Sequence, residues 1–338
     1  MRQVWITKTG GPEVLQLKDA PDPEAQSGEV RIRVQAAGIN FADLLARQGL
    51  YPDAPKLPAV VGYEVSGIVD QVGAGVELKV GDRVGAITRF GGYSDTVVVP
   101  KGLVFPLSAE LSFEEAAAIP VNYLTAWLML VEQGNVKKDD KVLVHAVAGG
   151  VGQAALQICQ WKGAQVFGTA SASKHERLKE LGVAHCIDYH SQDFASEIKR
   201  LTSGRGVDIV LDAVGGKSYQ KSYRCLAPLG KLMMFGASTL SSGKDRKILK
   251  VIQGLLQMPS FKPIPLMNQN RGVLGFNLGH LWKEEALLKR SLLEILHLVA
   301  SGVFRPLVDK VFPMEHAADA HAYIHAHQNF GKVLLKPE

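Results

Sequence analysis

Cysteine is scarce in this chain: Cys159, Cys186 and Cys225 are the only three in 338 residues. They form no CxxC pair and no disulfide framework, which excludes a disulfide-stapled secreted scaffold and sets a reducing, cytoplasmic location as the expectation. Long hydrophobic runs are also missing. No apolar stretch approaches the roughly 18 residues of a membrane span. The opening MRQVWITKTGG has no apolar core and no small-residue cleavage site, so no signal peptide is expected. Charge of one sign is not concentrated either: 38 Lys and Arg are interspersed with 33 Asp and Glu, for a formal +5. A nucleic-acid protein gathers its basic residues on one stripe, so no nucleic-acid partner is expected, and the small excess suits a basic pocket for an anionic cofactor. Glycine, in contrast, is abundant at 34 residues, as in α/β proteins with tight nucleotide loops.

The length exceeds one typical domain and suggests two. Up to about Pro120, short alternating segments are broken by Gly and Pro turns. Val30–Asn40 (VRIRVQAAGIN), Tyr63–Gly73 (YEVSGIVDQVG) and Asp82–Ile87 (DRVGAI) read as half-buried strands of a β-rich domain. The rhythm changes near Asn122. Apolar strands such as KVLVH, QVFGTA and VDIVLD then alternate with helical stretches such as VGQAALQICQWKG and DFASEIKRLTSG. Strands alternating with helices of that length specify an α/β fold with a doubly wound parallel sheet. From about Arg271 follow RGVLGF, a helix near Glu284–Ala300 and a last strand, KVLLK.

The first strand of the alternating part runs into Val147-Ala148-Gly149-Gly150-Val151-Gly152 and then a helix. As a GxGxxG pattern this keeps the second and third glycines and has Val147 for the first. Strand before and helix after are the context the motif requires. Small residues there admit a pyrophosphate to the backbone, and the free N–H groups of the first helical turn meet its charge. An NAD site carries Asp or Glu about 20 residues further on, at the end of the second strand. Thr169-Ala170-Ser171-Ala172-Ser173-Lys174 stands there instead, without an acid. Hydroxyls and a lysine suit a 2′-phosphate, so NADPH is the expected cofactor. Ser171 and Ser173 also qualify as helix caps with Lys174 in solvent, and the two roles are compatible.

Taken together, GGPEVL near the start, AGINFADLLARQGLYP (Ala37–Pro52), GYEVSGIV, VNYLTAW, AVAGGVG, GTASASKHERLKELG, IDY (Ile187–Tyr189) and the closing GKVLL resemble the zinc-free quinone oxidoreductase branch of the medium-chain dehydrogenase/reductase superfamily. Within that branch they are most similar to synaptic vesicle amine transport protein homologues, and the resemblance covers nearly the whole chain. It implies a GroES-like β-rich catalytic domain from residues 1–122 and 266–338, a Rossmann domain at 123–265, and an active site in the cleft. It also implies cofactor contacts at Asn40, Asp43, Asn122 and Thr125 and along Gly149, Gly150, Val151 and Gly152. Ser171, Lys174 and Tyr189 would surround the 2′-phosphate, Ser238, Phe276 and Leu278 would line the nicotinamide side, and Asn329 and Lys332 would lie near the cofactor.

Alcohol dehydrogenases of the same superfamily hold zinc with a Cys, a His and a second Cys, a ligand set with one open position. The aligned positions here are Asn40, Tyr63 and Val121, so neither a catalytic nor a structural metal is expected. His321 and His325 share a helix spacing and read as surface histidines of an amphipathic helix. Without an electrophile for an alkoxide, the suitable acceptor is a conjugated one, a quinone or an α,β-unsaturated carbonyl, and delivering hydride to it needs mainly orientation. Asn40, Tyr51 and Tyr63 are the catalytic candidates, and Tyr123 is a further polar tip. The basic stretch KDRKILKVIQGLLQM (Lys244–Met258) reads either as a helix packed beside the cleft or as a lid or membrane-touching patch. Two functions from different classes follow: an NADPH-dependent reductase of quinones, enones or alkenals, and an NADPH-binding module for a lipid or a partner, with little turnover. RGVLGF would be an outer strand, and a homodimer through that edge is expected.

Overall fold

The computed structural model describes residues 1–241, 254 and 256–337. All four basic residues of Lys244–Met258 lie outside the described residues. The chain divides into two compact units. One is built from Met1–Leu124 and the chain from Leu278 onward, the other from the described residues between Thr125 and Asn277.

In the first unit, β1 (Arg2–Ile6) pairs antiparallel with β2 (Leu15–Asp19) and with the short β4 (Ala59–Val60). The larger sheet is centred on β3 (Glu29–Gly38), whose Val30, Ile32, Val34 and Ala36 are buried while residues between them are more exposed. That alternation is the period of two that fixes which face enters the core. β5 (Glu64–Val72), β6 (Arg83–Ile87) and β8 (Val104–Pro106) follow on one side of β3, and β7 (Thr96–Pro100) pairs with β3 itself. Helix α1 (Phe41–Arg47) leaves β3 directly, and α2 (Phe113–Ala117) packs on β3 and β5.

The second unit is a six-stranded parallel sheet. Its strands are β9 (Lys141–Val144), β10 (Gln165–Ala170), β11 (His185–Asp188), β12 (Val207–Asp212), β13 (Leu226–Met234) and β14 (Gly272–Gly275). They lie in the order β11-β10-β9-β12-β13-β14, and every pair is parallel. The connecting helices include α4 (Gly150–Trp161), α5 (His175–Glu180), α6 (Phe194–Leu201) and α7 (Lys217–Arg224). Helix α3 (Pro120–Trp127) carries the boundary between the units. Leu143, Phe167, Val210 and Leu232 from four strands bury their side chains with Ile198 of α6 and Tyr223 of α7. Burying one such side chain contributes about 1.5–3 kcal/mol, which is why these strands read as apolar runs rather than alternations. Strand order reverses between β9 and β12, and in open sheets ligands bind beyond the carboxyl ends at such a point.

The chain leaves the second unit at 277/278, not at 266. Gly272–Gly275 pairs in parallel with β13 from Lys231↔Gly272 to Met234↔Gly275, so its backbone hydrogen bonds belong to the six-stranded sheet. The chain then returns through helices Glu285–Ala300 and Ala317–His325 to β15 (Val308–Pro313) and β16 (Lys332–Lys336). β16 pairs antiparallel with β3, setting Leu334 opposite Gly38.

Candidate functional site

Within the second unit, β9 ends at Val144 and the turn that follows opens α4 at Gly149, whose position before the first helical residue carries no side-chain cap. Three amides at the start of that helix therefore lack a side-chain acceptor, as an anion site requires. Gly149 N donates to Ala146 O at 2.9 Å, which tightens the turn. A Cβ on Gly152 would stand 2.5 Å from Ala146 O and 2.6 Å from Val147 Cα. Backbone cannot yield there, so only glycine lets the helix start this close to the strand. Val147 fills the place of the missing first glycine: it is fully buried, and its methyl groups occupy the space a side chain on Gly168 would need.

Five more of the residues expected at the cofactor sit just beyond strand ends of the same sheet. Ala170 of β10 pairs with Asp188 of β11, so Ser171 and Tyr189 follow directly from paired positions. Ser171 Oγ lies 3.4 Å from Ser173 Oγ, Lys174 is half-buried and Tyr189 is exposed. The carboxylate that ends β11, Asp188, is turned to its own loop, where it accepts from Ser191 Oγ at 2.6 Å and His190 N at 3.1 Å. Ser238 begins a short turn after β13, and Phe276 N donates to Met234 O at 2.9 Å just after β14. Thr125 lies buried on α3.

The first unit gathers a second group of residues in its interior. Asn40 precedes α1, and its amide Nδ2 donates to Glu64 Oε1 at 2.9 Å. Lys332 Nζ donates to Asn40 Oδ1 at 2.7 Å and to Glu64 Oε1, while Val121 N donates to Glu64 Oε2 at 2.7 Å. Glu64 is 0% exposed and Lys332 is 3% exposed. Two of the three positions aligned with zinc ligands thus converge on a carboxylate that a lysine neutralises. Among the described residues no group of three or more His, Cys, Asp or Glu is arranged to hold a metal ion.

Asp43, one helical turn into α1, is also fully buried. It accepts from Asn40 N at 2.8 Å, Gly62 N at 3.0 Å and Tyr93 OH at 3.1 Å. Burial nevertheless dominates these donors and pushes its carboxyl up to about 7. Tyr63 stacks edgewise on Tyr51 at 6.4 Å and against Phe90 at 5.2 Å. Its buried hydroxyl has no hydrogen bond of good geometry, and burial raises its ionisation well above the tyrosine range. Tyr123 is buried against Phe304. Of the remaining expected residues, Asn122 is buried and its Nδ2 donates to Ala118 O, at the end of α2, at 3.2 Å; Leu278 is buried, and Asn329 Nδ2 donates to Gly331 O at 3.2 Å.

His321 and His325 are not surface histidines. His321 is 0% exposed, with Nε2 3.0 Å from Tyr93 OH, and its burial holds the ring neutral well below its usual range. His325 is half-buried, 3.1 Å from Arg47 Nη2 of a fully buried arginine. Glu64, Tyr93 and His321 were not expected at the site; the Gly62-Tyr63-Glu64 string was the only signal for the first of them, and no spacing announces the other two.

Comparison with known proteins places the chain in a family. The alcohol dehydrogenase GroES-like domain matches residues 26–109, and a domain described as zinc-binding dehydrogenase matches 181–335. The rat synaptic vesicle membrane protein VAT-1 homolog is 43% identical over 341 residues, spanning 100% of this chain and 84% of its own length. Quinone oxidoreductase 1 of Escherichia coli is 34% identical over 99% of both chains. This chain belongs to the quinone oxidoreductase branch of the medium-chain dehydrogenase/reductases. The crystal structure of Escherichia coli quinone oxidoreductase complexed with NADPH superposes on it with a TM-score of 0.88, at 31% identity and full coverage of both chains. The match called zinc-binding begins at 181 and includes none of Asn40, Tyr63 and Val121.

Proposed function

We propose that this oxidoreductase family member is an NADPH-dependent reductase that delivers hydride, without a metal, to a quinone or an α,β-unsaturated carbonyl. The observation that carries the reading is the uncapped start of α4 at Gly149, beside a β10 end that offers Ser171 and Lys174 and no carboxylate. The NADPH complex of the Escherichia coli relative supports the same cofactor. NADPH, when bound, supplies a hydride, and with it two electrons, for a conjugated acceptor. In this reading the amides of Gly150, Val151 and Gly152 hold the pyrophosphate. Ser171, Lys174 and Tyr189 hold the 2′-phosphate, with Lys174 as its cation. Ser238, Phe276 and Leu278 flank the nicotinamide. Asn40, Asp43, Asn122, Thr125, Asn329 and Lys332 complete the contacts.

Asn40 acts as an orienting amide, because Lys332 and Glu64 occupy both ends of its side chain and fix its rotamer. Tyr51 and Tyr63 form an aromatic wall for a flat acceptor. The acceptor's conjugation spreads the incoming charge, and water supplies the proton that completes reduction. The reading includes a cytoplasmic location, favoured by three free cysteines. It also includes a homodimer through β14, the outermost strand of its sheet among the described residues, beside exposed Ile264 and Met267.

The test follows NADPH and NADH oxidation by chelator-treated protein against ortho-quinones, para-quinones, alkenals and enones. Turnover that prefers NADPH and ignores the chelator supports the proposal. Tight NADPH binding with negligible turnover throughout the panel supports the binding-module alternative instead, and a requirement for added zinc refutes the metal-free chemistry.

A further inference from the structure

Beneath the glycine turn, three strand ends and a helix are tied together by a row of buried side chains that the proposed chemistry does not use. His145 directly follows β9 and is 3% exposed; Thr169 of β10 is 3% exposed, and Asp212 of β12 and Ser222 of α7 are 0% exposed. His145 Nε2 lies 3.0 Å from Ser222 Oγ, and Ser222 Oγ donates to Asp212 Oδ2 at 2.7 Å. On the other side, His145 Nδ1 lies 3.1 Å from Thr169 Oγ1, and Ala146 N donates to Thr169 Oγ1 at 3.2 Å.

The direction of every bond in this row is determined. A carboxylate only accepts, so Ser222 spends its proton on Asp212 and must accept from His145 Nε2–H. Thr169 Oγ1 already accepts from Ala146 N, so the acceptor left within reach of its buried hydroxyl proton is His145 Nδ1, and burial of the ring favours the same neutral form. Ala146 needs such a hold: it is not glycine, yet its φ is +53°, a left-handed conformation that L residues rarely adopt. Its carbonyl receives Gly149 N and abuts Gly152, so its peptide sets where α4 begins.

The other oxygen of Asp212 accepts from Val214 N at 2.8 Å and Gly215 N at 3.2 Å. That loop in turn receives Ser238 N at Ala213 O, 3.0 Å away.

We infer that His145 is a positioning residue, the middle link of a one-way hydrogen-bond chain from Asp212 through Ser222 and Thr169 that sets the glycine turn for a pyrophosphate and ties it to the loop bearing Ser238. The inference rests on the nucleotide-site reading for its ligand and on the geometry alone for the chain. It differs from a packing role in one respect: removing Ser222's hydroxyl, which touches nothing in the turn, must be felt at Ala146.

The experiment titrates NADPH and NADH into the full-length protein by fluorescence and measures amide hydrogen exchange at Ala146 without nucleotide. Thr169→Val should weaken both nucleotides by about fivefold with their ratio unchanged, the loss of one ordering hydrogen bond. Thr169→Ser should restore binding. Ser222→Ala should speed exchange at Ala146, and Thr169→Val combined with Ser222→Ala should be no weaker than the worse single variant, since one break severs the chain. Unchanged exchange at Ala146 in Ser222→Ala, or additive losses in the double variant, overturns the inference. Wild-type protein that binds neither nucleotide refutes the cofactor reading, and exchange at Ala146 then decides the chain by itself.

Discussion

Replacing Lys332 with methionine removes the ammonium and keeps most of the apolar stem, and its cost can be worked from the geometry. Glu64 is 0% exposed, so its charge has no access to water, and of its partners Asn40, Val121 and Lys332 it is the lysine that carries a positive charge. Breaking a buried pair by deleting one member costs about 3–5 kcal/mol, mostly the penalty of the charge left behind. Two donors stay on Glu64, Asn40 Nδ2 at 2.9 Å and Val121 N at 2.7 Å, which puts Lys332→Met at the lower end, about 3 kcal/mol. For a unit of this size that corresponds to a fall in Tm of about 6–12 °C. The assay is urea and thermal unfolding of Lys332→Met, of Glu64→Gln, and of the two combined, at neutral pH and low salt. The double variant should be about 1 kcal/mol or more stabler than Lys332→Met alone, because the uncompensated charge has gone. A loss under about 1 kcal/mol in Lys332→Met, or a double variant as unstable as the sum of both, would refute the reasoning.

Further expectations concern the other buried groups and the nucleotide loop. Asp43 carries a folded-state pKa of about 7, above the unfolded carboxyl, so the folded state binds its proton and this group's stabilisation fades as pH rises from 4 towards 7. His321 has the opposite sign. Its affinity for a proton is lowered by burial, then by Arg47 and His325, so the unfolded state takes up the proton and stability drops as pH falls below 6.5. His321→Gln should therefore lose less stability than wild type as pH falls from 6 to 5 in denaturant titrations, and parallel profiles would count against this. Lys174→Ala should raise KM for NADPH about tenfold or more and leave KM for NADH within about twofold, measured by initial rates; equal losses would point to a general role for the lysine. Gly152→Ala, with backbone 2.5 Å from the new methyl, should cost about 1–3 kcal/mol and abolish nucleotide binding in a fluorescence titration.

The fold was legible because its strands follow local rules. QVFGTA and KVLLK coincide with β10 and β16, and the strand–turn–helix pattern around Gly149 by itself specifies a doubly wound sheet. A boundary at 266 separates RGVLGF from β13, because no local pattern in those residues shows that they pair with Lys231–Met234. The buried groups were illegible for another reason. His321 sits on a helix whose spacing permits a surface or an interior role, and what decides is Tyr93, 228 residues away in sequence. Glu64 is similar, being interpretable only with Lys332. His145 looked like the last letter of a strand, and only the strand ends beside β9 give it partners.

The pairing of β16 with β3 also governs timing. On a growing chain Glu64 precedes Lys332 by 268 residues, so at about 5–20 residues per second it waits roughly ten to fifty seconds for its counter-ion. Throughout that interval β3 lacks its β16 neighbour at Ala37 and Gly38. The six-stranded unit, whose residues lie wholly within that gap, is synthesised completely before the first unit can close. Assembly is therefore nested, with the inner unit finished while the outer one still carries an unpaired buried charge and an open strand edge. A ribosome stalled just short of β16 would hold a chain whose inner unit is complete yet which remains exposed to proteases around β3.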